Sequence, residues 1–341
     1  MRRKDLQNSS ISKRVGCNVF SWQPQISVVI PAYNVAEFIG ETITSVLDQR
    51  YRDYEIIVVN DGSPDTTELE RALRPHFDDI VYIKQRPLGA GAARNTGIAE
   101  ARGDLIAFLD GDDIWLPEYL ASQAVYLERH GLDMVYCDAY QFGMRSVLRR
   151  TFMEQAPSTG KCDFNAILDY RCNVITSGTV ARRSAILAAG MFERERARAH
   201  DFHLWLRMAK NGARIGYQRK VMLKYRVHLN SLSGDAISRV QREIDVFERV
   251  RNTIELDAEQ TAIVERRVAG LTADLDVERG KAFLLDGDYR SAGRSFAAAN
   301  RIRRSPKLTV ITWLARLAPS TLLKYYRTNR ADEIAFVRRQ A

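Results

Sequence analysis

The sequence predicts an α/β domain built on a mostly parallel sheet with helices on both faces, followed by an all-α region. Three observations carry this prediction. β-branched runs alternate with helical periods through the first 113 residues, the pattern of strands joined by helical crossovers. The strand-like runs are nearly continuous in apolar residues, as strands covered on both faces are. Beyond Asp235 the composition changes to long helical periods rich in Ala, Arg and Leu. The expected organisation is an N-terminal extension over 1–24, an α/β domain over 25–235 and a helical region over 236–341.

Each element follows from local pattern. Ile26 to Ile30 is a β-branched run that Pro31 stops, so a first strand should end there in a turn. Phe38, Ile39, Ile43, Val46 and Leu47 share one face of a helix over about 37–49. Glu55 to Asn60 reads as a second strand, 61–64 as a turn and 66–73 as a helix. Ile80 to Ile83 is a short third strand, and the Gly/Ala-rich stretch 89–102 has a helical pattern. Asp104 to Leu109 is a fourth apolar strand running into Asp110-Gly111-Asp112-Asp113. After that the pattern loosens: short strands near 134–138 and 175–181, helices over 182–189 and 201–210, and a strand-like segment 221–227 that ends at His228.

Composition narrows the function classes. With 341 residues, 45% apolar and 27% charged, the chain can bury a sizeable core, and disorder over most of its length is excluded. Lys and Arg number 51 against 42 Asp and Glu, a net +9, which points to an anionic partner: nucleotide, nucleic acid or anionic membrane. Cys17, Cys137, Cys162 and Cys172 lie far apart with no C-x-x-C pair, so neither a zinc site nor a disulfide framework is expected. Met1 to Lys4 is basic, but no apolar stretch follows before Ile26, and no run reaches the ~18 apolar residues of a membrane span. A cytoplasmic protein, or one held peripherally at the inner face of the plasma membrane, is expected.

The chemistry should gather where parallel strands end, because loops and helix N-termini converge there. Pro31-Ala32-Tyr33-Asn34, Asn60-Asp61-Gly62-Ser63, the segment from Gly89 to Gly97, and Asp110 to Asp113 all follow strands. Asp110, Asp112 and Asp113 offer hard oxygen ligands suited to Mn²⁺ or Mg²⁺ shared with substrate phosphates; a solvated acidic turn is the bland alternative. Asp61 can accept from a base or ribose, or simply form an Asx-turn before Gly62. The small residues from Gly89 let backbone approach phosphate, with Arg94 as guanidinium partner, or permit close helix–sheet packing.

In order and spacing, Val28-Val29-Ile30-Pro31-Ala32-Tyr33-Asn34, Val58-Val59-Asn60-Asp61-Gly62-Ser63, Gly91-Ala92-Ala93-Arg94-Asn95-Thr96-Gly97 and Phe108-Leu109-Asp110-Gly111-Asp112-Asp113 resemble the family 2 glycosyltransferases, over about 25–233. The resemblance implies a GT-A fold, a Rossmann-like domain that binds a nucleotide-diphosphate sugar with Mn²⁺ or Mg²⁺. Pro31, Tyr33 and Asp61 match positions that hold base and ribose, and Arg94 one near the base or diphosphate. Asp110, Asp112 and Asp113 match the metal-binding carboxylates, with Asp112 and Asp113 the best matches for metal and ribose contact. Asp201 matches the catalytic base, although His200 stands where Glu is common. Tyr225-Arg226-Val227-His228 with Ser231 and Ser233 resembles a segment that closes over the diphosphate, making His228 a candidate metal ligand or phosphate contact. Asn173 to Thr179 and Gly190-Met191-Phe192 match the floor and acceptor side.

The implied reaction is an inverting transfer, probed most simply as a UDP-sugar donor and a saccharide or lipid-linked saccharide acceptor in bacterial-type envelope assembly. A sugar-phosphate nucleotidyltransferase is a rival reading, but it wants a Gly-rich basic loop after the first strand, where this chain has Pro31-Ala32-Tyr33-Asn34. A catalytically silent scaffold acting through its tail is a second, against which intact Asp112, Asp113 and Asp201 argue.

The tail carries the basicity: from Arg279 to Arg330 there are twelve Lys and Arg against two Asp and Glu. Gly280, Phe283, Ala292, Phe296 and Ala299 around Gly287-Asp288-Tyr289 resemble one tetratricopeptide repeat. Stacked repeats need about three units, so a helical hairpin packed on its neighbours is expected. Leu308 to Leu323 reads as an amphipathic segment attracted to an anionic membrane surface, or as a packed helix with a solvated basic face. Nucleic acid is not an expected partner, since no recognition module is readable.

Overall fold

The computed structural model describes residues 12–16, 23–143, 151–193, 200–227 and 236–329. The chain divides into two compact units, 1–229 and 230–341.

The first unit is organised by one nine-stranded sheet. Its strands are β1 (Ser12–Val15), β2 (Ile26–Ala32), β3 (Tyr54–Asn60), β4 (Ile80–Lys84), β5 (Leu105–Phe108), β6 (Ile114–Trp115), β7 (Met134–Phe142), β8 (Thr179–Arg182) and β9 (Ile215–Arg226), in the order β1-β4-β3-β2-β5-β8-β7-β9-β6. The helices are α1 (Ile39–Leu47), α2 (Thr66–Leu73), α3 (Ala90–Glu100), α4 (Tyr119–Arg129), α5 (Phe152–Gln155), α6 (Phe164–Leu168), α7 (Arg183–Ala188) and α8 (His200–Lys210). The block β4-β3-β2-β5 is parallel, as the sequence predicts. Beyond it the sheet is mixed: β1 on β4, β8 on β5 and on β7, and β6 on β9 are antiparallel, while β7 and β9 are parallel. The block forms because Ile26, Val28, Val29 and Ile30 on β2 and Ile57, Val58 and Val59 on β3 are wholly buried, leaving neither strand a solvent face.

Several strand boundaries differ from expectation: β7 runs on to Phe142, and β8 starts only at Thr179 because Thr176–Gly178 form a 3₁₀ turn. β2 runs through Pro31, whose register partner is Val59. The Val29 carbonyl accepts from Leu109 N–H at 3.2 Å, so its backbone faces β5; Pro31, two residues on, faces the same edge past the end of β5, where a missing N–H forfeits no ladder bond. β9 begins at Ile215, six residues before the expected start, and follows β7 across a register shift at Cys137 to Ala139. Cys137, Cys162 and Cys172 are buried free thiols.

The second unit is all helical: α9 (Ala236–Thr253), α10 (Ala258–Leu285), α11 (Tyr289–Arg303), α12 (Pro306–Leu317) and α13 (Pro319–Asn329). Asp257 caps α10 in a reciprocal box with Gln260, its carboxylate accepting the Gln260 N–H at 2.8 Å. Asp288 caps α11 by accepting from Ser291 N–H at 3.0 Å, so α10 and α11 form the expected helical hairpin. The tetratricopeptide identity stays a resemblance. Leu284, Ala292, Phe296, Ala315 and Leu322 form the unit's buried cluster. Phe283 of the repeat-like pattern is exposed, and 308–323 spans two helices because Pro319 starts α13. Among the described residues no helix is long and apolar enough to cross a membrane.

Candidate functional site

The loops after β2, β3, β4 and β5 are stitched to one another by side chains from the predicted motifs. Asn34 adopts φ 55° and donates its backbone N–H to Ser63 Oγ at 2.6 Å, while Ala36 N–H reaches Asp65 Oδ2 at 2.9 Å. Just before these anchors Tyr33 stays exposed. Asp61 is 3% exposed. Its Oδ1 accepts from Gln85 Nε2 at 2.7 Å and Leu88 N–H at 2.9 Å, and its Oδ2 from Gly89 N–H at 2.6 Å. The next residue must be glycine twice over: Gly62 has φ +64°, and a Cβ there would lie 2.5 Å from Pro87 Cδ.

Arg94 on α3 is buried, forms an ion pair with Asp110, and stacks over Phe192 at 5.5 Å from the ring centroid. One turn of sequence later, a Cβ on Gly97 would sit 2.4 Å from Val29 Cγ1, so that glycine serves close packing of α3 on β2. Between them Asn95 clasps Phe192 at both backbone groups, donating to its carbonyl at 2.7 Å and accepting from its N–H at 2.9 Å. Arg207 on α8 holds the same turn from the other side, through the carbonyls of Ala189 and Met191. The Gly190-Met191-Phe192 segment is thus fixed between α3 and α8.

The acidic turn after β5 is held by three separate elements. Thr42 Oγ1 of α1 donates to the carbonyls of Gly111 (3.1 Å) and Asp113 (2.9 Å). Asp110 N–H donates to Ser177 Oγ at 3.1 Å. From β9, Arg226 donates its backbone N–H to Asp113 Oδ1 and its Nε–H to the Asp112 carbonyl, both at 2.8 Å. The Arg226 guanidinium also bonds Glu41 at 2.6 Å and lies between Phe38 and Phe142, 4.5 and 4.4 Å from their centroids. Asp112 is half-buried, whereas Asp113 is 1% exposed. Asp113 Oδ2 is buried with no hydrogen-bond partner among the described residues. Burial first, then the charges of Asp112 and Asp110, push the Asp113 carboxyl well above the usual range, against smaller opposing effects of Ser177 and the Arg226 amide.

Asp201 lies in the first turn of α8, and Thr176 Oγ1 donates to its Oδ2 at 2.8 Å. Thr176 and Ser177 are consecutive residues of a single 3₁₀ turn, one bonded to Asp201 and the other to Asp110. That turn brings the separately expected Asp201 and Asp110 to Asp113 into one place. Tyr225 stands in the same field: burial, then the charges of Asp113, Asp110, Asp112 and Asp201, push its phenol up. His228, with Ser231 and Ser233, lies outside the described residues.

Sequence reading placed Asn173 to Thr179 only as a floor and missed the individual roles of Thr176, Ser177, Asn95, Thr42 and the Arg226 side chain. Single hydroxyls and amides carry no periodicity, so only the glycine-rich and acidic clusters around them could have directed attention there.

Among the described residues, no three His, Cys, Asp or Glu side chains form a protein-only cage for a metal ion. A cation shared with a diphosphate does not need one, because it is held by one or two carboxylates with phosphate oxygens and water completing the shell.

Comparison with known proteins bears on this site. Residues 27–187 match the model of Glycosyl transferase family 2. The uncharacterized glycosyltransferase RP339 of Rickettsia prowazekii is 29% identical over 240 residues, 67% of this chain and 72% of its own length. The UDP-Glc:alpha-D-GlcNAc-diphosphoundecaprenol beta-1,3-glucosyltransferase WfaP of Escherichia coli is 28% identical over 229 residues, 66% of this chain and 86% of its own. Among solved structures, S. aureus TarS 1-349 in complex with UDP-GlcNAc aligns over 89% of this chain and 92% of its own, with TM-score 0.57 and 18% identity. The mannosyltransferase PcManGT from Pyrobaculum calidifontis, in complex with GDP-Man and Mn²⁺, aligns over 92% and 86%, with TM-score 0.57 and 20% identity. At such identities the two structures show a shared fold.

Proposed function

The chain belongs to glycosyl transferase family 2, whose members transfer sugar from a nucleotide donor, and from that premise we propose an inverting transfer from a nucleoside-diphosphate sugar to an acceptor hydroxyl, with Asp201 as base. The observation that carries it is the 3₁₀ turn in which Thr176 holds Asp201 while Ser177 holds Asp110. UDP is the proposed carrier and a lipid-linked saccharide the proposed acceptor, in keeping with the donor and diphosphoundecaprenol acceptor named for WfaP.

In this reading Asp201 takes the acceptor proton, and the freed oxygen attacks the anomeric carbon from the face opposite the phosphate. The new C–O bond forms as the bond to phosphate breaks, and the nucleoside diphosphate leaves with the electron pair. Thr176 orients Asp201, while Pro31 and Tyr33 frame the base. Asp61 takes base or ribose with what acceptor capacity its three bonds leave, and Arg94 faces the diphosphate side.

Mn²⁺ or Mg²⁺ fits this donor set. Asp110, Asp112, Asp113 and Asp201 bring four carboxylates, against which Arg94 and Arg226 supply two guanidinium groups. A crevice so balanced repels a diphosphate, and the unpartnered Asp113 Oδ2 marks where positive charge is missing. Asp112 and Asp113 are the proposed ligands, with His228 as a further candidate. When bound, the cation supplies Lewis-acid neutralisation of the leaving diphosphate.

The test pairs binding with turnover. UDP, GDP, UDP-Glc and GDP-Man, each with and without Mn²⁺, are screened for thermal stabilisation, since a ligand of the native state alone raises its stability. Asp201→Asn should keep the shift given by the preferred nucleotide while donor turnover falls by at least ~100-fold. Retained turnover in Asp201→Asn overturns the base assignment, and stabilisation indifferent to Mn²⁺ overturns the metal.

A further inference from the structure

The helical unit presents a surface for which sugar transfer has no use. α12 is anchored through Ala315, which is 1% exposed in the cluster with Leu284 and Phe296. A helix on a water-bathed body turns charge away from such a buried stripe. Here the outward row is Val310, Trp313 and Leu317, spaced i, i+3, i+7 and 57%, 61% and 73% exposed. The polar residues flank it instead: Lys307 lies to one side of the row and Arg316 to the other, both exposed. On α13, Tyr325 is 66% exposed beside exposed Lys324 and Arg327. From Tyr289 to Asn329 the chain has nine Lys and Arg and no Asp or Glu.

We propose that α12 and α13 dock on an anionic lipid surface, with Trp313, Leu317 and Val310 entering the boundary between headgroups and acyl chains and Lys307, Arg316, Lys324 and Arg327 meeting lipid phosphates. Charge selects this occupant. A second copy seated face to face would set Lys307, Arg316, Lys324 and Arg327 against their own like charges, whereas a layer of anionic phosphates complements them. Amphipathic Trp and Tyr favour that interface, where the ring is buried and its polar edge stays wet. Long basic side chains at the flanks keep their charge in the headgroup layer while their stems cover apolar surface. The inference goes beyond the transfer reaction and does not depend on Asp201.

The test is co-sedimentation of the full chain with vesicles of phosphatidylcholine alone and of phosphatidylcholine mixed with phosphatidylglycerol, at about 0.05 M and about 0.5 M salt, where screening differs severalfold in range. The chain should pellet with the anionic vesicles at low salt and not with the neutral ones. The double variant Trp313→Ser/Leu317→Ser should lose at least ~10-fold in partitioning, since each side chain removes apolar area from the contact. Lys307→Gln/Lys324→Gln/Arg327→Gln should lose ~100-fold, about fivefold for each charge. All five positions are exposed, so circular dichroism and the melting temperature should stay as in the parent. Undiminished partitioning of either variant, or absence from both vesicle types, overturns the proposal. So does a dimer in light scattering that Trp313→Ser/Leu317→Ser converts to monomer without any lipid binding, which would assign the face to a second copy. Donor turnover in detergent-free buffer separates the two readings, because these variants should leave it unchanged.

Discussion

Replacing Thr176 by valine tests whether the acid at the start of α8 and the acidic turn after β5 act as one site. Thr176 is buried, and its hydroxyl donates to Asp201 Oδ2 at 2.8 Å; the other Asp201 oxygen accepts from Phe202 N–H at 2.9 Å. Valine keeps the β-branch and nearly the volume, so the perturbation is the hydroxyl. A hydrogen bond to a charged group contributes about 1.5–3 kcal/mol. If that energy holds the carboxylate in its reactive orientation, its loss lowers kcat by roughly 10- to 150-fold at 1.4 kcal/mol per decade. Nucleotide affinity should change little, because Thr176 does not bond the turn of Asp110 to Asp113; Ser177 does. Steady-state release of nucleoside diphosphate from the preferred donor gives kcat, titration calorimetry with the nucleotide gives affinity, and Thr176→Ser, which keeps the hydroxyl, should retain the parental kcat. A Thr176→Val enzyme with parental kcat refutes the reasoning, as does one whose loss lies wholly in nucleotide binding.

Three further perturbations probe the scaffold. Because the folded-state pKa of Asp113 is raised, its stabilising contribution is fully present below its unfolded value of about 3.9 and is lost as pH rises through the folded value. Asp113→Asn should therefore melt higher than the parent at pH 8, by about 2–4 °C per kcal/mol regained, with a smaller gain towards acid pH, and calorimetry at several pH values checks the trend. Gly97→Ala drives a Cβ to 2.4 Å from Val29 Cγ1 and should cost about 1–3 kcal/mol, whereas Gly40→Ala in α1 meets nothing within 4 Å and should gain about 0.5–1 kcal/mol; denaturant titration resolves the opposite signs. Arg226→Lys keeps the charge but loses the planar group between Phe38 and Phe142 that also bonds the Asp112 carbonyl, so affinity for UDP with Mn²⁺ should fall about 10-fold by calorimetry.

What the sequence disclosed and what it withheld have physical causes. The strands β2 to β5 are legible because burial on both faces demands apolar residues at nearly every position, as Val28, Val29, Val58 and Val59 show. The turn from Asp110 to Asp113 is legible because clustered carboxylates after an apolar strand are costly without a purpose. β6 is only Ile114–Trp115, too short to show a period, and exists because β9 offers it an edge. In the first half of β9, Gly216 is paired with Val135 by the parallel ladder to β7, whereas Arg219 and Lys220 fall in the register shift without a β7 partner, which breaks the pattern that would mark a strand. Thr176 and Ser177 look like any two hydroxyl residues until folding sets them against Asp201 and Asp110.

Asp61 shows why a choice between ligand and turn residue can be a false one. A carboxylate has about four acceptor positions, and three are taken by Gln85, Leu88 and Gly89. The Gly89 amide belongs to the residue that precedes α3, so Asp61 sets where that helix starts, and with it the approach of Arg94 to Asp110 and of Asn95 to Phe192. In the proposed reading, a base or ribose taken by the acceptor position left over would lean on the same side chain that sets the start of α3, coupling recognition of the nucleoside to the placement of Arg94. In the proposed reading the acceptor side belongs to different elements, the 3₁₀ turn at Thr176 and the turn at Phe192, so substitutions there should alter acceptor choice while nucleotide affinity is kept. On that reading, with the donor held by β3 and α3 and the base on α8, the chain would change what it glycosylates by changing the second set alone.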